Sequence, residues 1–245
     1  MSEYQYILED TSNRLYALPK KPWKYFQQWN DVLMLHWSVP ASLIENLLPD
    51  GVELDTFNGQ AWISLAAFTV SGVRGRYIFP LPYFSSFEEI NLRTYVIADF
   101  KPGIYLLSVE TNKSLVALLT RIFTGIPYVK STILRIDDRL YAKLPAKKQS
   151  LNLRFCDNVK PLRKDVLDYW LTERHCLYQN VGRTLYRFDI HHNEWEMKNI
   201  KLKIAHINYC AGGFNTSGIP PERLHYCKKL EVLFWSREEV NINEK

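Results

Sequence analysis

The chain has 245 residues, is 47% hydrophobic and 14% aromatic, and carries a net charge of +5. These totals exclude a disordered chain and give none of the concentrated positive charge of a nucleic-acid binder. The longest apolar runs, such as Leu65-Ala66-Ala67-Phe68, fall far short of the ~20 residues of a membrane helix, and Met1-Ser2-Glu3-Tyr4 opens no signal peptide, so a cytoplasmic protein with neither membrane nor nucleic-acid partners is expected.

Residues 1–20 read as a polar, irregular surface arm. A dense apolar run at 32–37, containing His36, reads as a buried strand. Pro40 suits a first helical turn, and Leu43, Ile44, Leu47 and Leu48 give the short helix behind it one apolar stripe. Asn58-Gly59 is a strong two-residue turn signal, predicting a hairpin with arms 52–57 and 60–70. Residues 72–87 mix Gly72, Gly75, Pro80 and Pro82 with Tyr77, Phe79, Tyr83, Phe84 and Phe87, which predicts a long aromatic loop acting as a lid or rim.

The next stretch, 88–96, is predicted to be a strand of unusual face. Side chains alternate along a strand, so Glu89, Asn91, Arg93 and Tyr95 share one side, and Ile90, Leu92, Thr94 and Val96 the other. A carboxylate, an amide, a guanidinium and a phenol in a row are ordinary if they face solvent. If they face a cavity, they are a polar wall for a small molecule.

Strands are expected at 104–109, about 127–136 and 139–144. Residues 113–124 give the clearest helix, with Leu115, Val116, Leu118, Leu119, Ile122 and Phe123 on one wide apolar face and Gly125 closing its end. Residues 164–170 read as a short helix, 184–192, 200–207 and 230–235 as strands, and 211–222 as a long loop. Strands dominate and βαβ alternation is absent. The expected class is α+β, mainly antiparallel β: a closed barrel or paired sheets with a few peripheral helices. The arm at 1–20 precedes a single domain at 21–236, and 237–245 form a polar tail.

The four cysteines, Cys156, Cys176, Cys210 and Cys227, lack the spacing of a metal knuckle or redox pair and are expected to be reduced and mostly buried. His191 and His192, adjacent on a strand, would point to opposite faces, and the other histidines lack ligand-type partners at i+2 or i+4, so no metal is expected. With neither a phosphate loop nor a dinucleotide fingerprint, no cofactor is expected, and no Gly-x-Ser-x-Gly elbow marks a hydrolase. If 173–175 is a strand, Glu173 and His175 share a face, as a general acid–base pair or a salt bridge.

Taken in order, several stretches carry a family resemblance: Asp31 to Pro40, Leu54 to Trp62, Glu89 to Val96, Leu171 to Tyr178, and His191 to Trp195. Together they resemble the bacterial YqjF-like proteins, a family of unknown function within the acetoacetate decarboxylase-like superfamily. The resemblance spans roughly residues 20–235. It implies a cone-shaped β-barrel around an internal cavity with small flanking helices. It also implies Schiff-base chemistry, in which a neutral lysine condenses with a keto acid; neutrality requires burial or a neighbouring cation. The superfamily's Pro-Lys-Lys run corresponds here to Pro127-Tyr128-Val129-Lys130, which keeps one lysine, Lys130, and lacks the second. The leading expectation is a protein that binds a small carboxylated or carbonyl-bearing metabolite through Glu89, Asn91, Arg93, Tyr95 and Glu173. The alternatives are a keto-acid lyase with Lys130 as the catalytic amine, and a non-enzymatic interaction protein; a homo-oligomer is compatible with either.

Overall fold

The computed structural model describes residues 4–78 and 86–240, without the side chains of residues 157–159. In chain order it has α1 (Gln5–Glu9), β1 (Tyr25–Val39), β2 (Glu53–Leu54), β3 (Ala61–Gly75), β4 (Ser86–Ala98), β5 (Lys101–Thr111), α2 (Ser114–Thr124), β6 (Tyr128–Lys130), β7 (Thr132–Ile136), β8 (Arg139–Leu144) and β9 (Gln149–Pro161). Then follow α3 (Val166–Thr172), β10 (Cys176–Val181), β11 (Thr184–His191), β12 (Met197–Asn208), β13 (Cys210–Ala211), β14 (Phe214–Asn215), β15 (Arg223–Phe234) and β16 (Glu238–Glu239).

Pairing runs β11-β10-β5-β4-β3-β1-β15, and β15 pairs again with β11 through Ile190 to Phe234 and His191 to Leu233. The seven strands therefore close a ring, which removes the sheet edges that would otherwise stay unpaired. Pairings are antiparallel except β5 with β10 and β5 with β6. Beyond β15, strands β12, β9, β8 and β7 continue the sheet.

Alternation splits the long strands between two cores. Leu33, Leu35, Ile63, Leu65, Ile90 and Leu92 pack against Leu140, Leu151 and Leu153 of the continuation, whereas Met34, Ala66, Phe68, Tyr95, Leu106 and Phe188 share the opposite face. At 88–96, the alternation read from the sequence is the one observed.

Several expectations need correction. Within the expected polar, irregular surface arm, α1 forms, its Ile7 is buried, and Tyr4 stacks on Phe26 at 4.5 Å. At the other end, β16 pairs with β11 and Val240 is buried. Pro40 leads into two 3-10 turns instead of one helix. Asn58 and Gly59 take positive φ and Phe57 bridges Gln60, so the turn forms; but β2 leaves it to pair with β4, and only β3 becomes a long arm. The expected loop at 72–87 is shorter, since β3 runs to Gly75 and β4 starts at Ser86. Phe79, Tyr83 and Phe84, central to the lid expectation, lie outside the described residues. The strand at 127–136 breaks at Ser131, β9 went unread, and α3 begins two residues late because Asp165 caps it in a reciprocal capping box with Asp168. All four cysteines are free, but only Cys176 and Cys227 are buried.

Helix α2 matches its expected span and ends at Gly125, whose φ is 78°. Its apolar face is more exposed than the pattern implies: Leu118, Ile122 and Phe123 are 53%, 63% and 72% exposed. At Gly125 an added Cβ would sit 2.2 Å from the Val181 side chain, in a conformation that already disfavours a side chain. Gly125→Ala is expected to cost about 2 kcal/mol, a melting-point drop of about 4–8 °C. Adding Val181→Ala should return the clash portion. A Gly125→Ala chain that melts with the wild type would refute this account of the helix end.

Candidate functional site

The seven-stranded ring encloses a cavity of about 690 Å³. Its walls are largely apolar, with Trp29, Phe68, Leu106, Ile126, Leu177 and Phe188 among them, and α2 contributes Leu119 and Phe123. The buried polar part of the lining is the row on β4: Glu89, Asn91 and Arg93 all line the cavity and are 5–7% exposed.

Strand register explains the row's neighbours. Arg93 pairs with Ser64, and Ser64 with His36; one step along, Asn91 pairs with Ala66, Ala66 with Met34, and Met34 with His225. Paired residues put their side chains on the same face. Tyr128 on β6 donates to Glu89 Oε2 at 2.7 Å, and Asn91 donates to Glu89 Oε1 at 3.0 Å. Burial pushes the Glu89 carboxyl up, against the pull of these hydrogen bonds and of Arg93; burial and the neighbouring Glu89 push the Tyr128 phenol well up.

Arg93 directs one guanidinium nitrogen to Met34 Sδ at 3.0 Å, and its Nε is buried without a partner, as is Asn91 Oδ1. Among the described residues no carboxylate lies within ion-pair distance of Arg93. A buried cation beside a carboxyl biased towards neutrality leaves the wall short of negative charge.

Tyr95, the fourth residue of the row, does not line the cavity. It is fully buried, its ring 4.6 Å from that of Trp170, and its hydroxyl belongs to a hydrogen-bonded chain that the sequence reading missed. Asp168 Oδ1 meets His225 Nε2 at 2.9 Å, His225 Nδ1 meets His36 Nε2 at 3.0 Å, His36 Nδ1 meets Ser64 Oγ at 2.5 Å, and Ser64 Oγ meets the Tyr95 hydroxyl at 2.5 Å. Tyr95 can instead donate to the Leu171 carbonyl at 3.1 Å. The chain is self-consistent with both histidines neutral. It is equally so with the bonds from His225 to Tyr95 reversed and both His225 nitrogens donating, so a proton can pass along it from one end to the other. Burial, then the charges of His225 and Arg93, hold His36 well below the usual histidine value. The sequence offered one hint: a histidine on the Met34 face of an otherwise apolar strand.

The two remaining expected site residues lie elsewhere. Lys130 is exposed, its amine donating to the Ser131 carbonyl at 2.9 Å, and it does not line the cavity. An exposed amine lacks the desolvation that Schiff-base formation needs. Among the described lining residues the one lysine, Lys24, is exposed at the mouth. Glu173 caps the C-terminus of α3, followed by irregular backbone instead of the expected strand, and Lys164 meets its Oε1 at 2.8 Å.

The model of the DUF2071 family, described as an uncharacterized conserved protein, matches residues 26–231. The chain is 38% identical over 228 residues to the uncharacterized protein YqjF of Bacillus subtilis (strain 168), covering 89% of this chain and 93% of that one. Among solved structures it is similar to the acetoacetate decarboxylase of Legionella pneumophila, with a TM-score of 0.56 at 13% identity over 96% of this chain and 94% of the other. It is likewise similar to the enduracididine biosynthesis enzyme MppR complexed with pyruvate, with a TM-score of 0.53 at 11% identity over 93% and 94%. At such identities the likeness is one of fold: an acetoacetate decarboxylase-like, mainly antiparallel architecture.

Proposed function

The chain belongs to the DUF2071 family, and on that premise we propose that it binds a small carboxylate-bearing metabolite inside its barrel. The observation that carries this reading is the Arg93 guanidinium: buried in the cavity wall, unpaired with any described carboxylate, its Nε open. A ligand carboxylate supplies the missing counter-charge and can take two parallel N–H bonds. Asn91 Oδ1 accepts from a neighbouring hydroxyl, and Glu89, when protonated, donates to a carbonyl. The apolar remainder of the wall suits a short carbon skeleton. That a fold neighbour is complexed with pyruvate agrees with this choice of ligand class. A keto-acid lyase using Lys130 draws no support from that residue's exposure.

Thermal melts with pyruvate, acetoacetate and their uncharged amides test the reading. The acids should raise the melting temperature saturably, by the equivalent of about 3 kcal/mol at a hundred times Kd. The amides should not. Arg93→Gln removes charged hydrogen bonds of about 1.5–3 kcal/mol, so the midpoint should rise roughly 10–100-fold. A shift that survives Arg93→Gln, or none with any small carboxylate, would sink the proposal.

A further inference from the structure

Away from the cavity, where α3 gives way to β10, three residues from two stretches of the chain converge. Glu173, His175 and His192 each offer a ligand atom, and these atoms all lie within 4.8 Å of one another. We infer that they form a binding site for a divalent first-row transition metal of the zinc type.

Four observations support the assignment. First, each imidazole is already oriented by a backbone carbonyl, which only accepts. His175 Nε2 meets the Asn13 carbonyl at 3.2 Å and His192 Nδ1 meets the Asn193 carbonyl at 2.8 Å. The His175 proton therefore sits on Nε2 and its lone pair points out from Nδ1, while the His192 ring is held by the carbonyls of Asn193 and Arg174. Metal-ligating histidines are commonly held in this way. Second, His175 Nδ1 is buried without a partner in a side chain only 2% exposed. An orphaned buried acceptor is costly, and an ion would relieve it. Third, the two rings stack with their centroids 4.6 Å apart, which brings both imidazoles to one place. Fourth, the Asn13 amide donates to both Glu173 Oε2 and the His192 carbonyl, and its own Oδ1 is buried and unpartnered, a neutral fourth oxygen beside the cluster.

The competing cation is Lys164. It meets Glu173 Oε1 at 2.8 Å, but it also meets Glu194 at 2.8 Å and keeps that partner when Glu173 turns its other oxygen to a metal. Two imidazoles and a carboxylate at about 2.0–2.2 Å from one ion match zinc in a site with open positions. Donors bound at that distance lie closer together than 4.8 Å, so the side chains must close by roughly 1 Å. Spacing along the chain could not reveal the set. His191 is not part of it: its ring faces the Ile7 carbonyl and Arg14.

Calorimetric titration of Zn²⁺ into the full chain, paired with Co²⁺ absorption, tests the site. One ion per chain is expected, with a cobalt spectrum of nitrogen and oxygen ligands and no thiolate band. His175→Ala and His192→Ala should each weaken binding by more than about 100-fold, since losing a mere supporting partner costs about 10–100-fold. His191→Gln should bind as the wild type does. The wild-type cobalt spectrum stands even if a variant fails to fold. Failure to bind Zn²⁺ saturably, a thiolate band, or undiminished affinity in either folded alanine variant would overturn the assignment.

Discussion

Lowering the pH from 7 to 5, with chelator present, is expected to lower the folding stability. The cause is a set of histidines the fold keeps neutral. Burial foremost, reinforced by neighbouring positive charge, holds His36 and His175 below their ordinary value and His191 down to about 4; burial alone is the chief cause at His192. In the unfolded chain all four titrate near 6.5. The unfolded state thus binds more protons below that pH, and stability rises with pH and is lost as pH falls. A histidine kept neutral across the whole range removes about 1.4 kcal/mol per pH unit below its unfolded value, or about 2 kcal/mol by pH 5. Two carboxyls oppose them. Burial raises Glu89 and Glu110, so the folded chain takes up protons there before the unfolded chain does, and stability is recovered as pH falls. Four histidines outnumber the two carboxyls, so the net effect is a loss of stability as pH falls. Urea unfolding at pH 7 and pH 5 measures the difference, and Glu89→Gln should steepen it by removing one opposing group. Equal stability at the two values would show that the histidine burial is not what governs the acid limb.

Replacing Arg174 by methionine is expected to cost about 3–5 kcal/mol. Its guanidinium meets Asp55 at 2.6 Å, with both side chains nearly buried, and its Nε donates to the Trp170 carbonyl at 2.6 Å. It also lies over the rings of Trp170 at 4.3 Å and Tyr95 at 5.0 Å. Removing one partner of a buried pair strands the other charge, which is why the loss exceeds the worth of the pair itself. The melting temperature should fall by roughly 6–20 °C. Arg174→Lys keeps the charge but loses the planar fork and should fall between. Adding Asp55→Asn to Arg174→Met should recover part of the loss, since no bare carboxylate remains. A Arg174→Met chain within 1 kcal/mol of wild type would show the pair to be incidental. Arg174 lies between Glu173 and His175, so this pair also fastens the segment bearing two of the inferred metal ligands to the barrel.

What the sequence determined by itself is local and periodic. A strand repeats every two residues whatever surrounds it, so the pattern at 88–96 gave the faces of Glu89, Asn91 and Arg93 correctly. Asn58-Gly59 and Gly125 marked true chain reversals because positive φ is a demand on single residues. Helix α2 was legible for the same reason, though its exposed leucines show that an apolar stripe does not name what covers it. Adjacent His191 and His192 do face different surroundings, as alternation requires.

The tertiary structure decided which faces meet. Register across β1, β3 and β4 brings His36, Ser64 and Arg93 abreast, and β15 adds His225 from nearly two hundred residues away. Ring closure between β11 and β15 turned a polar strand face into a cavity wall and left Lys130 outside it. Glu173, His175 and His192 meet because α3 stops where β10 begins and the chain then returns along β11. No local preference encodes such meetings: they follow from which strands pair and in what alignment, and burying two apolar faces at once fixes that alignment only for the whole chain together.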